Sequence, residues 1–197
     1  MSAARFERHA LMRPHGTEPG TLDSRRIHDG RVIAVDVETV RFPDGSTGAL
    51  DIVRHPGASA IVPFLDDPTG KNPTVLLIRQ YRHAAGTWLI EIPAGRLNPN
   101  EDPESCARRE LLEETGCTAG SIVHMTTIFT TPGFSDERIH LYMATALVRG
   151  DTRHEVGEFI EPITLSLAEA LSQVESGEIS DGKTALALLY AAGFRAH

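Results

Sequence analysis

The stretch that most constrains this chain is GRLNPNEDPESCARRELLEETGC, residues 95–117, which carries the signals of a short helix bounded at both ends. Asp102 is a favoured N-cap residue, and Pro103 after it suits the first helical position. Gly116 can close the helix in a left-handed conformation, which residues with larger side chains adopt less readily. These signals predict a helix over residues 103–115, preceded by a polar loop.

Three carboxylates of the predicted helix, Glu110, Glu113 and Glu114, stand at i, i+3 and i+4 and therefore share one face. Two such charges ~4 Å apart repel by roughly 4 kcal/mol at an effective dielectric of about 20. Oxygen ligands suit Mg²⁺ or Mn²⁺, and protein magnesium sites are commonly shared with substrate phosphates. The alternative is a solvated acidic face compensated by Arg108 and Arg109, with Arg109 paired to Glu113 at i, i+4. Spacing alone leaves both interpretations open and favours the metal site slightly.

The same stretch matches a known signature. Gly95, Glu101 and residues 109–116 occupy, in register, every fixed position of the Nudix box, GX5EX7REUXEEXGU. Cys117 departs from the bulky aliphatic residue of the last position, although it is apolar. The chain therefore resembles the Nudix hydrolase superfamily. That resemblance implies an α/β/α sandwich with a mixed sheet, whereas the residue pattern alone indicates only an α/β or α+β fold class.

The resemblance also implies roles for the box residues. Glu110, Glu113 and Glu114, together with the backbone carbonyl of Ala94, are expected to bind Mg²⁺, with Mn²⁺ as a substitute. Arg109 is expected to orient the glutamates through ion pairs. Glu110, Glu114 and Arg109 are therefore candidate catalytic residues.

Positions around the box acquire expected roles in the same way. Gly95 is expected to permit the turn that aims the Ala94 carbonyl inward, and Glu101 to assist as an outer ligand. The general base of this family often comes from a loop outside the box, which places it at Glu158, with Glu155 as the fallback. A solvated acidic loop is the alternative for either residue.

Other segments resemble one group within the superfamily. Pro132, fifteen residues past the end of the box, resembles the marker of the ADP-ribose pyrophosphatase group. Residues 79–82, 88–95, 132–137 and 158–161 also look like that group in order and spacing. This implies Mg²⁺-dependent hydrolysis of ADP-ribose to AMP and ribose 5-phosphate. Two alternatives stay open: hydrolysis of another nucleoside diphosphate sugar such as GDP-mannose, and a non-catalytic ligand-binding regulator. The intact box argues against the regulator.

Five residues are candidate substrate contacts on this resemblance: Arg82, Glu91, Arg54, Arg96 and Gly133. A guanidinium offers planar bidentate donors to phosphate, which makes Arg82 the first choice. Plainer alternatives are surface arginines at Arg82 and Arg54, and a structural hydrogen bond at Glu91.

The chain divides on its pattern into a tail over residues 1–26, an N-terminal β module over 27–56 and a main domain over 57–197. A β-hairpin is predicted in the module, where apolar residues alternate on both sides of a Pro-Asp-Gly turn. The resemblance implies that this module forms a homodimer and helps to build each adenine pocket. Trp88, the single tryptophan, lies outside the module, which leaves room for other nucleoside diphosphate sugars.

Apolar periodicity predicts the remaining elements. Residues 158–165 form a mixed stretch, and the last helix is expected to begin at a Ser180 or Asp181 cap. The predicted strands cover residues 33–39, 49–54, 60–65, 75–81, 88–92, 122–130 and 139–148, and the further helices cover residues 167–174 and 183–192.

Composition argues against several function classes. A net charge of −8 leaves no basic stripe of the kind that binds nucleic acid or an anionic membrane. Two cysteines, Cys106 and Cys117, do not make a disulfide framework or a zinc site. The longest apolar run, near residues 185–192, is too short to span a bilayer, and the N-terminus lacks the apolar core of a signal peptide. We therefore expect a cytoplasmic protein.

Overall fold

The computed structural model of the chain describes residues 18–150 and 159–194. The chain folds into two compact units, the first ending at Arg54 and the second beginning at His55. The boundary expected from the sequence lies two residues later. The role of the first unit in dimerisation stays a prediction.

The first unit is an antiparallel sheet of three strands, β1 (Gly20–Asp29), β2 (Ala34–Arg41) and β3 (Thr47–Arg54), paired in that order. The β2–β3 hairpin confirms the predicted one. Its turn is stabilised locally, since Asp44 Oδ1 accepts the backbone N–H of Ser46 at 2.9 Å. Aspartate favours turns for this reason, because its side chain can replace a backbone acceptor two residues on.

Strand β1, at Gly20–Asp29, was not predicted, and its first residues lie in the stretch expected to be a tail, residues 1–26. Its two large apolar residues, Leu22 and Ile27, are five positions apart, and register shifts interrupt its pairing with β2. Polar contacts support the pairing instead, including an ion pair between Arg26 and the nearly buried Asp36 of β2. A strand paired in this way has no alternating apolar pattern for a sequence analysis to detect.

The elements predicted for the second unit are confirmed, with small shifts at most ends. The largest shift is at the start of β8, which begins at Cys117, five residues before the predicted strand over 122–130. Three elements were not predicted: β7, β10 and a 3₁₀ turn at His83–Ala85. Within the described ranges, no helix is both long and apolar enough to cross a membrane. The elements are β4 (Ala58–Pro63), β5 (Thr74–Arg82), β6 (Thr87–Glu91), β7 (Ala94–Arg96), α1 (Pro103–Thr115), β8 (Cys117–Phe129), β9 (Arg138–Arg149), β10 (Ile160–Ser166), α2 (Leu167–Ser176) and α3 (Gly182–Phe194).

These strands form two sheets. One is mixed and has the order β7-β4-β9-β8, in which β4 and β9 are parallel and the other neighbours antiparallel. The other is antiparallel and has the order β10-β5-β6. The short strand β7 is at one edge of the mixed sheet, and it leads into the loop before α1.

Alternate residues of β4 face two separate cores. Ala60 and Val62 pack with residues of α2 and α3, whereas Ile61 packs with Ala107 and Leu111 of α1. A strand buried on both faces is apolar at successive positions, as β4 is. Helix α1 therefore covers one face and helices α2 and α3 the other, which confirms the predicted α/β/α sandwich with a mixed sheet.

Helix α2 begins with a reciprocal capping box. The backbone N–H of Glu169 donates to Ser166 Oγ at 3.2 Å, and the backbone N–H of Ser166 donates to Glu169 Oε2 at 2.9 Å. The first turn of a helix leaves its N–H groups without intrahelical acceptors, so each side chain here satisfies one backbone donor.

We expect Ser166→Ala to lower the free energy of unfolding by about 1 kcal/mol, because it leaves the Glu169 N–H without its cap. Ser176→Ala, at the other end of α2, is the matched control, and it should change stability by less than about 0.5 kcal/mol. Urea unfolding curves of the two variants measure the difference. Equal midpoints for both variants would contradict the assigned cap.

Candidate active site

Helix α1 has the caps predicted for it. Asp102 Oδ1 accepts the backbone N–H groups of Glu104 and Ser105 at 3.1 and 3.2 Å. Gly116 closes the helix at a φ of 70°, and its N–H donates to the carbonyl of Leu112 at 2.9 Å. The three box carboxylates are thus presented by a helix whose start and end are both fixed by local hydrogen bonds.

Two of those carboxylates are buried against the β6–β7 turn, defined as residues 92–93 together with the first two residues of β7, Ala94 and Gly95. The side chain of Glu110 lies so close to Gly95 that a Cβ at that position would be 1.7 Å from Glu110 Oε1. Glu114, which is 2% exposed, accepts the backbone N–H of Ala94 at its Oε2, at 3.0 Å. Residues 94 and 95 therefore pack directly on the carboxylates of α1.

This packing changes the reason for a glycine at position 95. The resemblance predicts that Gly95 permits a turn, but it is not among the glycines with positive φ, and it pairs with Ser59 of β4 as an ordinary strand residue. It is required because the Glu110 carboxylate occupies the space of a side chain.

Arg109 holds three carboxylates at once. Its Nη1 donates to Glu110 Oε1 at 2.5 Å and to Glu113 Oε2 at 2.9 Å, the latter being the predicted i, i+4 pair. Its Nε donates to Glu101 Oε1 at 2.8 Å. Glu101, expected as an outer metal ligand, is thus a partner of this arginine. The hydrogen bond to Glu101 is the main cause that raises the pKa of Arg109, and the same bond lowers the pKa of Glu101.

The donor chemistry at α1 suits a divalent cation. All the expected ligand atoms are oxygens, as Mg²⁺ and Mn²⁺ prefer. Arg109 brings one positive charge to three carboxylates, which leaves a formal excess of negative charge beside the turn. Among the described residues, no three His, Cys, Asp or Glu side chains are gathered closely enough to hold an ion. In this arrangement Arg109 and the Ala94 N–H are the partners of the box carboxylates. The oxygen donors and the excess negative charge fit a divalent metal, whereas the side chains as placed do not surround one.

A buried thiol also contacts this turn. Cys106 Sγ lies 3.5 Å from the carbonyl oxygen of Gly95 and 3.6 Å from that of Arg96. Burial raises the pKa of the Cys106 thiol to about 11, so the thiol stays protonated and can donate weakly to these carbonyls.

A cavity of about 620 Å³ opens beside the turn. This volume lies within the range of small-molecule binding sites. The cavity brings together residues from distant parts of the second unit, and its polar lining includes both acidic and basic groups. The lining residues are His55, Ala58, Arg82, Ala94, Gly95, Arg96, Ile128, Phe129, Thr130, Glu137, Ile139, Asp181, Gly182, Lys183 and Leu186.

Two of the predicted substrate contacts, Arg82 and Glu91, form a bidentate ion pair. Arg82 Nε and Nη2 donate to Glu91 Oε1 and Oε2, each at 2.7 Å. Arg82 is 40% exposed in its side chain and lines the cavity, whereas Glu91 is 1% exposed. Burial by itself would raise the pKa of Glu91, but the hydrogen bonds and charges of Arg82 and Lys183 outweigh it, so this pKa lies below its usual value.

Sequence reasoning missed Lys183, which contacts Glu91 Oε2 and lies 2.9 Å from Asp181 Oδ2. Asp181 in turn caps α3 by accepting the N–H of Thr184 at 3.0 Å, which confirms Asp181 rather than Ser180 as the cap. Lys183 and Glu91 are 92 positions apart in the chain. No local pattern could have linked them.

Of the other predicted substrate contacts in the second unit, only Arg96 lines the cavity among the residues that the structure describes. The backbone carbonyl of Arg96 accepts from Arg109 at 3.1 Å. Gly133 lies in the loop before β9 and is not among the lining residues, although Thr130 and Glu137 near the ends of that loop are.

Arg54 belongs to the first unit, where it pairs with Asp36 and Glu38. Glu158 and its fallback Glu155 lie outside the described residues.

The family follows from a direct comparison. The model of a family described as NUDIX domain matches residues 54–186, which is more than half of the chain. The chain belongs to the Nudix family, as its box predicted.

Named relatives extend over nearly the whole length. The ADP-ribose pyrophosphatase of Bacillus subtilis (strain 168) is 39% identical over 175 residues, which are 88% of this chain and 92% of that protein. The methanol dehydrogenase activator of Bacillus methanolicus is 38% identical over 175 residues, with the same coverage. A crystal structure described as an ADP compounds hydrolase superposes with a TM-score of 0.75 at 20% identity, covering 89% of this chain and 92% of that one. This last likeness concerns the fold alone.

We expect Gly95→Ala to destabilise the protein by about 1–3 kcal/mol, because the new methyl group must displace a buried carboxylate. Gly193→Ala is the matched control, since a Cβ there meets nothing within 4 Å, and it should be neutral or slightly stabilising. Urea unfolding measures both. A Gly95→Ala variant as stable as Gly193→Ala would refute the close approach of Glu110.

The ion pair at Glu91 gives stability a specific pH dependence. Its folded-state pKa lies below the ordinary glutamate value of 4.5, so its contribution is fully present above about pH 4.5 and is lost as pH falls through the folded pKa. Wild type should therefore exceed Glu91→Gln in stability near pH 7, and the difference should shrink on acidification. Urea unfolding of both proteins from about pH 7 to about pH 3 tests this. A difference that stays constant, or grows towards low pH, contradicts the assignment.

Proposed function

We propose that this Nudix protein hydrolyses the pyrophosphate bond of ADP-ribose, with Mg²⁺ as cofactor, to AMP and ribose 5-phosphate. The observation that carries the proposal is the juxtaposition of two buried box carboxylates, Glu110 and Glu114, with a cavity of about 620 Å³ lined by Arg82 and Arg96. The name of the Bacillus subtilis relative supports ADP-ribose as the substrate.

Residues around the β6–β7 turn would hold the metal. Glu110, Glu113 and Glu114 would supply carboxylate oxygens, and Ala94 would supply a backbone carbonyl. When bound, Mg²⁺ (or Mn²⁺) neutralises phosphate charge and lowers the pKa of water. Arg109 keeps Glu110 and Glu113 in place through its hydrogen bonds at 2.5 and 2.9 Å.

The basic side chains of the cavity orient the diphosphate. Arg82 reaches the cavity while Glu91 fixes two of its nitrogens, so that its remaining N–H groups can donate to phosphate or ribose oxygens. Arg96 lies beside the turn in the same cavity. We further assign Arg54 and Gly133 to substrate binding, on the resemblance alone.

The hydrolytic step consumes one water molecule. Its oxygen attacks one phosphorus atom, the bridging P–O bond breaks, and the water proton passes to a general base. We assign this base to Glu158, with Glu155 as the alternative. By resemblance Glu158 is the match to the family's loop base and Glu155 the fallback, and both lie outside the described residues.

We also propose a cytoplasmic homodimer. By resemblance, the three-stranded first unit corresponds to the module with which the ADP-ribose pyrophosphatase group dimerises. Cys106 and Cys117 are both free and buried, which fits a reducing compartment.

A second candidate substrate class is another nucleoside diphosphate sugar, such as GDP-mannose. The observation that favours it is the place of Trp88, the single tryptophan, in β6 of the second unit. The first unit therefore has no tryptophan to stack on adenine.

A substrate panel tests the function. Purified protein with excess Mg²⁺ should cleave ADP-ribose faster than GDP-mannose, releasing AMP and ribose 5-phosphate, and chelation of the metal should abolish the reaction. Faster cleavage of GDP-mannose would replace the first candidate by the second. No cleavage of any nucleoside diphosphate sugar would refute both.

We expect Glu114→Gln to lower kcat by about 100-fold or more, the scale seen when a charge-stabilising group leaves an active site. Glu104→Gln is the control, because Glu104 is an exposed carboxylate on the same helix and pairs with Arg108. Steady-state kinetics at saturating Mg²⁺ and Mn²⁺ titrations of both variants provide the measurement. Near-normal turnover in Glu114→Gln would remove this residue from the site.

A further inference from the structure

The start of helix α3 forms an ion network with β5 and β6. The Glu91 carboxylate accepts hydrogen bonds from two cations: Arg82 donates to both of its oxygens, and Lys183 donates to Oε2. Lys183 also contacts Asp181 Oδ2 at 2.9 Å. Two cations and two carboxylates therefore alternate in one connected cluster at the cavity wall.

Glu91 cannot rely on water for compensation, because only 1% of its side chain is exposed. A carboxylate buried to this degree is costly unless its oxygens are paired and hydrogen-bonded. Arg82 alone leaves Oε2 with one donor, and Lys183 adds a second charged donor to that oxygen. Without Lys183, the buried negative charge of Glu91 would be neutralised by Arg82 alone, and the carboxylate would be freer to move.

The orientation of Arg82 depends on this carboxylate. Its bonds to Glu91 use Nε and Nη2, so the direction of the guanidinium plane follows the direction of the Glu91 carboxylate. Nη1 is left for a ligand, on a side chain that is 40% exposed and lines the cavity. A shift of the Glu91 carboxylate would therefore rotate the Arg82 guanidinium and change the direction in which its Nη1 points.

The same turn of α3 also holds the backbone in front of residues 94 and 95. Thr184, which is fully buried, accepts the N–H of Ile92 at 2.9 Å and donates to Asp181 Oδ2 at 2.6 Å. The side chain and the backbone at the end of β6 are thus both fixed by residues 181–184. This arrangement favours a positioning role for the start of α3.

We propose that Lys183 is a positioning residue: it holds the Glu91 carboxylate, and through it sets the direction in which the Arg82 guanidinium faces the diphosphate of the substrate. The proposal rests on the proposed function for the identity of the substrate. It does not require Lys183 itself to touch the substrate, which distinguishes it from a direct phosphate contact.

A double-mutant cycle with Glu91→Gln tests the proposal. Lys183→Met should raise KM for ADP-ribose by about tenfold while kcat changes by less than about threefold, as expected for lost substrate binding. In the Glu91→Gln background the same substitution should have little further effect, because residues that act through one another are not additive. The chain has two lysines, so the other, the exposed Lys71, supplies the matched control Lys71→Met, which should leave KM unchanged.

An equal rise in KM in both backgrounds would overturn the proposal, since a direct contact between Lys183 and the substrate does not depend on Glu91. An unchanged KM in Lys183→Met would overturn it as well. Circular dichroism of each variant separates these outcomes from loss of the fold.

A second readout needs no substrate. The Nε–H of Arg82 donates to Glu91, so hydrogen exchange of this group by nuclear magnetic resonance reports whether the guanidinium is held. In Lys183→Met its exchange should accelerate by about tenfold or more, and in Lys71→Met it should not change. Unchanged exchange in Lys183→Met would overturn the proposal. Because this arm uses the protein alone, its result stands even if ADP-ribose proves not to be the substrate.

Discussion

The burial of two like-charged carboxylates against a single turn is the constraint on which the rest of this site depends. Glu110 fills the space beside Gly95, and Glu114 accepts the N–H of Ala94, so helix α1 and the turn cannot separate without exposing a backbone donor and two charges to new surroundings. The caps of α1, the apolar core beneath it and the guanidinium of Arg109 all serve to hold these charges where they are.

The turn is held from both sides of the sandwich. Helix α1 contacts it on one face of the sheet, and the start of α3 fixes the end of β6 just before it on the other. Groups that stabilise a transition state act best when their positions are set before the substrate arrives, within roughly 0.5 Å. A turn that is hydrogen-bonded to helices in two layers favours such a fixed geometry.

The parts of this architecture that could be predicted are those that depend on residues close together in the chain. Asp102 and Gly116 mark the ends of α1, and the spacing of its glutamates places them on one face, because capping and helical periodicity act over a few residues. Strand β1 was missed because ion pairs rather than alternating apolar residues support it. The contact between Lys183 and Glu91 joins residues 92 positions apart, and only the packed fold brings them together.

The environment of Cys106 affects how readily its thiol reacts with oxidants and alkylating reagents. Its sulfur lies against the carbonyls of the turn, and burial raises its pKa to about 11, so almost none of it is thiolate at neutral pH. Oxidants and alkylating reagents attack the thiolate form. Because Cys106 is both buried and protonated at neutral pH, we expect peroxide and thiol reagents to react with it slowly.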